Sequence, residues 1–312
     1  MFRSLLPIVL VILLATGGAT AWIVYRVMHP HPKPYLVTPE KFTQLSARGV
    51  KATEETWPNH DGTQSRGWLL RGSEGAPAVV LLHKYESDRS WFLNLGVKLN
   101  EQTNFTVLWP DMRGHGEDPP VKSSGLGFKE GDDAAAAIEY LRTLKTTGGR
   151  MLVGQKMGIY GCELGAYAAL RAAEKDDNIS ALSLDSVPAG PDDIVRMAVR
   201  TQMDIDNKIV QSLARLGMQA WLMGTYDDRS SCTLASGMSG KSVILLSGEA
   251  AGPLRESTIA LSQCFPQPAN KVEVQSSQPL TGLNLHPSTG QQEEGYDRRV
   301  IDFFDRALRV AK

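Results

Sequence analysis

A carboxylate and a thiol lie side by side between two glycines in the segment Gly161-Cys162-Glu163-Leu164-Gly165. Glycines two residues before and two after a central residue are typical of a strained strand-to-helix turn that presents the central side chain. Glu163 could attack as a carboxylate, and Cys162 is the alternative nucleophile. His286 suits the role of general base because the pKa of imidazole lies near neutrality. The segment therefore points to nucleophilic chemistry, or to its loss by substitution.

Composition excludes several other classes of function. The chain has 312 residues, 42% of them hydrophobic, which is enough for one substantial core. The formal net charge is -1 and no basic block occurs, so we expect no nucleic-acid partner. No phosphate-binding or dinucleotide-binding glycine motif is present, and no histidines or cysteines show metal-ligand spacing. The sequence predicts no cofactor and no metal.

Short apolar runs alternate with helical patterns from about residue 51 onward, which predicts an α/β domain with a mostly parallel sheet of about eight strands and helices on both faces. Lys51–Trp57 and Arg66–Arg71 flank a turn-forming cluster and predict an antiparallel hairpin. The further predicted strands are Ala78–Leu82, Phe105–Trp109, Met157–Tyr160, Ile179–Leu184, Ser242–Leu246 and Lys271–Val274. Leu95 with Leu99, and Ala134 with Ile138, predict buried helix faces.

A longer helical stretch, residues 192–223, interrupts this alternation. It predicts either a small cap over a ligand site or a pair of helices that only covers the sheet, because periodicity does not distinguish the two.

The N-terminal segment Leu5–Tyr25 contains no charged residue and would span roughly 30 Å as a helix, about one hydrocarbon core. It predicts a single transmembrane anchor over residues 1–28, followed by a stiff proline-containing spacer over 29–50 and the domain over 51–312. A cleaved signal peptide ending at Ala21 is the alternative. The anchor is favoured because Trp22–Tyr25 continues the apolar run with interfacial aromatic residues. Positive charges are nearly balanced across the segment, and its signal-anchor character slightly favours a domain outside the cytoplasm.

Three cysteines are too few for a disulfide framework. Cys232 and Cys264 either form one bridge outside the cytosol or serve as small buried apolar side chains, and the second interpretation is favoured.

Several motifs in order resemble the α/β-hydrolase superfamily, especially its membrane-anchored and peptidase-like branches. They are the DMRGHGED turn after a strand, NHDG before the hairpin, VVLLH at a strand end, IYGCELGAYAAL at the elbow, ALSLDSV, VILLSGE and a late LNLHPS. The resemblance covers about Glu55 to Leu308 and implies the α/β-hydrolase fold.

The same resemblance implies a set of site residues, and it exposes three departures. Glu163 stands at the position of the nucleophilic serine, Ala251 stands at the usual position of the acid, and Lys84 replaces a small residue in the oxyanion loop. Asp185 is an alternative acid, His286 is the expected base, and the backbone N–H groups of Tyr85 and Leu164 are the expected oxyanion donors. The resemblance gives Arg113 and His115 a structural role.

These departures favour a degenerate, non-hydrolytic protein in which the carboxylate of Glu163 accepts from the oxyanion N–H groups and lies at the positive end of the next helix. Such a protein would bind a ligand, for example a small acyl or lipid-like molecule, or an unidentified protein partner at the membrane surface. The alternative is a hydrolase of ester, thioester or amide bonds that uses Glu163 or Cys162 with His286.

Overall fold

A sheet of eight strands forms the centre of the protein, whose computed structural model describes residues 2–45, 49, 51–223, 226–285 and 290–309. The strands are β1 Thr53–Pro58, β2 Gln64–Leu70, β3 Ala76–Leu82, β4 Thr106–Pro110, β5 Val153–Cys162, β6 Ile179–Asp185, β7 Ser242–Leu246 and β8 Lys271–Gln275. Their spatial order is β1-β2-β4-β3-β5-β6-β7-β8. β2 is antiparallel to both of its neighbours, and the remaining pairs are parallel. The predicted fold class is confirmed.

Helices cover both faces of this sheet. They are α1 Phe2–Met28, α2 Pro39–Leu45, α3 Leu93–Thr103, α4 Phe128–Thr143, α5 Leu164–Lys175, α6 Pro191–Met203, α7 Lys208–Trp221, α8 Ser231–Ser236, α9 Leu254–Leu261 and α10 Gln291–Leu308. In β3, Val79 and Leu81 pack in the core with α3 and α10, whereas Val80 and Leu82 pack in the core with α4 and α5. Because alternate residues of a strand face opposite sides, a strand covered on both sides must be apolar throughout.

The apolar runs therefore located the strands well. Ser242–Leu246 is a strand with the predicted bounds, and the opening hairpin forms with Thr53 paired to Leu69 and Pro58 paired to Gln64. Strand β5 is longer than predicted, since it begins at Val153. The predicted helix stripes are also buried: Leu95 and Leu99 in α3, and the set from Ala134 to Leu141 in α4.

The N-terminal helix α1 has two different halves. Leu6–Met28 is, within the described residues, the one helix long and apolar enough to cross a membrane, with a mean hydropathy of 2.1. Every residue from 6 to 19 is exposed. In contrast, Ile23, Val24, Val27 and Met28 belong to the same buried core as α6 and α7. The last two turns of α1 are thus part of the globular domain.

The segment after α1 differs from the expected spacer, which would have held the domain away from the membrane. It lies against the domain instead: the Tyr35 hydroxyl donates to Asp111 Oδ2 at 2.9 Å, and the Leu36 N–H donates to Ser90 Oγ at 3.0 Å. Tyr35 also packs against Trp68, with ring centroids 5.0 Å apart. The physical reason is that Tyr35 finds a carboxylate and an aromatic partner at one point of the domain surface.

Cys232 and Cys264 form a disulfide, with Cα atoms 5.2 Å apart. The favoured interpretation as buried apolar side chains was wrong for this pair, because Cys232 is exposed and Cys264 is half-buried. The bridge joins the start of α8 to the residues just after α9. Cys162 is the remaining cysteine and is a buried free thiol.

Candidate active site at the nucleophile elbow

Glu163 lies in a sharp turn between β5 and α5. Its φ of 53° and ψ of -109° are strained for a residue with a side chain. A Cβ on Gly161 would lie 2.3 Å from the Gly165 carbonyl oxygen, and a Cβ on Gly165 would lie 2.3 Å from the Leu82 carbonyl oxygen. Only glycine fits at either position. The chain therefore keeps the backbone of a nucleophile elbow and carries a carboxylate at its tip.

The Glu163 side chain is buried, with 8% of its surface exposed. Burial raises the pKa of its carboxyl to about 7, and repulsion from Glu86 also raises it. The Lys84 ammonium and the Tyr85 backbone N–H act in the opposite direction. Near neutral pH, both the protonated and the ionised forms of this carboxyl are therefore populated.

One of the two predicted oxyanion donors, the backbone N–H of Tyr85, thus lies close enough to Glu163 to lower the pKa of its carboxyl. The other, Leu164, is the first residue of α5. Within the described residues, the Glu163 side chain does not cap the first turn of α5 by hydrogen bonding. Glu163 therefore lies at the positive end of α5, as expected, but its side chain makes no hydrogen bond to the described first turn of the helix.

Lys84 reaches across the site to the segment that follows β8. Its Nζ donates to the Leu283 carbonyl at 2.8 Å and lies 4.1 Å from the centroid of the Trp91 ring. The Trp91 indole N–H donates to the neighbouring Gly282 carbonyl at 2.8 Å. A lysine in the oxyanion loop therefore clamps the 282–283 segment, and it leaves a positive charge beside Glu163.

Asp185, the alternative acid, is completely buried at the end of β6. Its carboxylate accepts hydrogen bonds from the Ser186 hydroxyl at 2.6 Å, the Tyr296 hydroxyl at 2.6 Å and the Gly282 N–H at 2.9 Å. Burial raises the pKa of Asp185 to about 6, and the three donors oppose this shift. Asp185 thus joins α10 and the 281–285 loop to the sheet.

Cys162 lies on the side of the turn that faces away from the Glu163 cavity. It is fully buried, and a Cβ added at Gly282 would lie 2.7 Å from its Sγ. Burial, together with the negative charges of Asp185 and Glu163, raises the pKa of the thiol well above its usual value. The thiol therefore stays protonated at neutral pH.

The positions expected for the catalytic acid and the catalytic base hold no side chain that the structure shows in such a role. Ala251 is buried at the end of a 3-10 turn, Glu249–Ala251, whereas Glu249 itself is exposed to solvent. His286 lies outside the described residues, which end on this loop at Leu285 and resume at 290. Within the described parts of the chain, no group of three or more His, Cys, Asp or Glu side chains is arranged to hold a metal ion.

The turn that contains Arg113 and His115 is braced by its own partners. The Arg113 guanidinium pairs with Asp133 and, at 3.1 Å, with Asp61. The buried His115 ring donates from Nδ1 to the Arg113 carbonyl at 2.8 Å and packs edge-on against His83. Burial lowers the pKa of His115, so the ring is neutral. These contacts are those of a structural turn.

A cavity of about 290 Å³ opens onto Glu163. Its wall includes Lys84, Tyr85, Glu86, Ser87, Asp88 and Trp91, together with Thr201 from α6 and Lys33, Pro34 and Leu36 from the segment after α1. Lys33 pairs with Glu86 at 3.3 Å, and the Tyr85 hydroxyl donates to the Val27 carbonyl at 2.6 Å. The N-terminal segment therefore forms part of the site.

Sequence patterns did not reveal three contributors to this region: Tyr296, Trp91 and the Val27 carbonyl. Tyr296 is 111 residues from Asp185, and Val27 is 58 residues from Tyr85. Such pairs leave no local periodicity. Only Trp91 lies close in sequence to the altered oxyanion loop, and its spacing of four residues from Leu95 is also that of a helix face.

The architecture is similar to that of solved hydrolases. The Pyrococcus furiosus esterase Pf2001 aligns with a TM-score of 0.65 at 18% identity, over 90% of this chain and 97% of the esterase. GrgF, an α/β hydrolase from a Penicillium species, gives 0.54 at 16% identity over 83% of this chain and 99% of its own. Dienelactone hydrolase from Anabaena variabilis gives 0.53 at 14% identity, with coverage of 83% and 99%.

No protein-family model matches the sequence, and no curated protein matches it. At the identities of these solved structures, the likeness concerns the fold. The chain has the α/β-hydrolase fold that its motifs predicted.

Proposed function

We propose that the chain is a membrane-tethered protein that uses an α/β-hydrolase fold to bind a small ligand at Glu163 without hydrolysing it. The observation that carries this proposal is the buried Glu163 carboxyl, which lies beside the Tyr85 backbone N–H, a group that favours the ionised form of Glu163. In a hydrolase, this donor must be available to the oxyanion that forms from the substrate. A carboxyl in that place competes with the substrate oxygen and, when ionised, repels it.

Attack by Glu163 itself is disfavoured on two grounds. A glutamate arm is longer than an aspartate arm by about 1.3 Å, and a misplacement on the order of 1 Å can cost about a hundredfold in rate. In addition, a carboxyl with a pKa of about 7 is partly protonated at neutral pH and largely protonated below it, and the protonated form is a poor nucleophile.

The surroundings of the expected base support the same proposal. Ala251 offers no carboxylate to orient a histidine, and Glu249 faces solvent. The carboxylate of Asp185 already accepts three hydrogen bonds. The buried, protonated thiol of Cys162 is not among the residues that line the cavity, so the proposal gives it no role.

The ligand that suits the cavity is small and carries a hydrogen-bond donor, such as a hydroxyl or an ammonium group, for Glu163. A cavity of about 290 Å³ lies at the lower limit for sites that enclose small molecules. A long acyl chain would need apolar space under α6 and α7. In this protein, Val27 and Met28 of α1 pack into that core.

The proposal places α1 across a membrane and the domain outside the cytosol. Its support is the apolar helix Leu6–Met28 together with the Cys232–Cys264 disulfide, because disulfides persist mainly in oxidising compartments.

A hydrolase with altered chemistry is the second candidate, and one observation favours it. The elbow keeps its strained backbone at Glu163, with φ at 53°. Such strain costs on the order of 1–3 kcal/mol and is commonly retained where it serves chemistry.

The two candidates are separated by hydrolysis of p-nitrophenyl acetate, butyrate and octanoate by the full chain in detergent. The full chain is required because Val27 and Met28 are core residues. We expect no turnover above the buffer blank in the parent, in Glu163→Gln or in His286→Ala. Turnover that disappears in either variant would establish a hydrolase, and activity gained in Glu163→Ser would show an intact scaffold that Glu163 silences.

Binding is tested with ethanolamine, glycerol and octanoate as probes in thermal-shift titrations. We expect a saturable shift with ethanolamine or glycerol that is lost in Glu163→Gln and kept in Glu249→Gln, which changes an exposed carboxyl. A shift with octanoate alone would point to an acyl ligand and against a small polar one.

A further inference from the structure

The helix α7 exposes large apolar side chains although it lies on the surface of the domain. Among the described residues outside α1, the four most exposed large apolar side chains are Ile209 at 71%, Leu216 at 61%, Trp221 at 69% and Met223 at 80%. All four lie on α7 or just after it. Single exposed apolar side chains scattered over a surface are normal, but four of them on or just after one helix indicate a common function for that surface.

The spacing of three of these residues places them along one side of the helix, whereas Trp221 is the last residue of α7 and lies at its C-terminal end. Ile209, Leu216 and Met223 are seven residues apart, which is close to two turns, whereas Ala214 and Met218 are buried. The inner side of α7 is therefore apolar because it packs into the core. Its outer side is also apolar, although no described residue covers it.

The α7 helix also packs directly on α1. A Cβ on Gly217 would lie 2.6 Å from Val24 Cγ2 and 2.7 Å from Thr20 Cγ2, so the two helices approach closely at this glycine. The contact fixes the height at which α7 meets α1. The outer apolar side of α7, which includes Leu216 next to Gly217 in the sequence, therefore lies close to α1.

The length of the free part of α1 shows what surrounds that contact. The exposed residues 6–19 would span about 21 Å at 1.5 Å per residue and follow closely after the charged Arg3, whereas a hydrocarbon core is about 30 Å thick. A membrane crossed by α1 must therefore extend to about the level of Thr20 and Val24. Trp22 and Tyr25, exposed by 57% and 60%, mark the same level with the aromatic residues preferred at a membrane interface.

We propose that α7 lies in the membrane interface, with Ile209, Leu216, Trp221 and Met223 inserted among the lipids. The exposed Lys208 and Arg215 then lie where lipid phosphates are found. The helix makes a second contact with the bilayer beside α1 and holds the Glu163 cavity at the membrane surface. This inference rests on the transmembrane assignment of α1 in the proposed function.

Spin labels on the full chain in nanodiscs of phosphatidylcholine and phosphatidylglycerol test it. Labels are introduced by Leu216→Cys in α7, Leu10→Cys in α1 and Met151→Cys as the matched control, an exposed apolar residue at the start of the β5 region. The parent gives the background, since Cys162 is buried and the other two cysteines are bonded. Collisions with oxygen, which enters lipid, are compared with collisions with a water-soluble nickel chelate.

We expect the oxygen-to-nickel collision ratio to be severalfold higher at positions 10 and 216 than at 151. A high ratio at position 10 with a ratio at 216 equal to that at 151 would overturn the role of α7 and leave the tether intact. A ratio at position 10 equal to that at 151 would remove the tether and, with it, this inference. Dipolar broadening between labels at 216 would show a second copy of the chain on this surface and would also overturn the lipid assignment.

Discussion

Glu163 and Asp185 are buried carboxyls at the ends of neighbouring strands, and they differ in how completely their surroundings satisfy them. Asp185 accepts from Ser186, Tyr296 and Gly282 at distances of 2.6 to 2.9 Å. Glu163 lies beside the Tyr85 backbone N–H and otherwise faces a cavity. Burial raises both pKa values, to about 6 for Asp185 and to about 7 for Glu163.

The cause of the difference is what covers each strand end. The end of β6 is closed by the 281–285 loop and by α10, and both send donors to Asp185. The end of β5 is covered by the oxyanion loop and by residues 33–36, which leave space. A satisfied buried carboxyl supports the fold, whereas an incompletely satisfied one keeps acceptor capacity for a ligand.

Replacement of the satisfied carboxyl should have the largest effect. Asp185→Ala leaves the Ser186 and Tyr296 hydroxyls and the Gly282 N–H without their acceptor, so we expect the free energy of unfolding to fall by about 3–5 kcal/mol. Asp185→Asn keeps one acceptor oxygen and should lose less. Denaturant unfolding of the full chain in detergent measures both. A loss under about 1 kcal/mol in Asp185→Ala would mean that Asp185 is no more structural than Glu163.

The strands and the elbow turn could be predicted from sequence because their causes are local. Burial on both faces requires an unbroken apolar run such as Ser242–Leu246, and the close contacts of Gly161 and Gly165 exclude any other residue. The hydrogen bonds that the Asp185 carboxylate accepts could not be predicted. It depends on Tyr296, which the fold brings from 111 residues away, and no pattern near either residue records that contact.

The N-terminal helix shows a second limit. A continuous apolar run such as Leu5–Tyr25 predicts a membrane span equally well whether its end meets lipid or protein. The packing of Val24 against Gly217 and the bond from Tyr85 to the Val27 carbonyl are visible only in three dimensions. The segment interpreted as a spacer was likewise found to form one wall of the candidate site.

Glu163, the carboxyl with fewer hydrogen-bond donors, should make the stability of the protein depend on pH. The folded-state pKa of Glu163, about 7, lies above its ordinary value of 4.5, so the folded state retains a proton that the unfolded state has lost between these pH values. Stability should therefore fall as pH rises from 4.5 to 7. Glu163→Gln should remove the part of this slope that Glu163 contributes, whereas the part from other buried carboxyls such as Asp185 stays. The stability of the variant relative to the parent should rise by up to about 3 kcal/mol between pH 4.5 and pH 8.

Unfolding of the parent and of Glu163→Gln across this pH range measures the difference. Glu249→Gln is the control, because Glu249 is exposed and should give the same pH profile as the parent. A difference between Glu163→Gln and the parent that does not change with pH would show that Glu163 is as well satisfied in its ionised form as any surface carboxylate. Glu163 would then no longer be the less well hydrogen-bonded carboxyl of the two.

The smallest expected effect concerns Lys84, whose ammonium group favours the ionised form of Glu163. Lys84→Met removes the hydrogen bond to the Leu283 carbonyl and the contact with the Trp91 ring, at a cost of about 1–2 kcal/mol. It should also raise the pKa of Glu163 above 7, since the opposing positive charge is gone. Carbon-13 NMR titration of the glutamate carboxyls follows that pKa, and Lys156→Met, at an exposed position of β5, is the matched control. An unchanged pKa for Glu163 in Lys84→Met would mean that burial alone sets it, and that Lys84 serves only to hold the 282–283 segment in place.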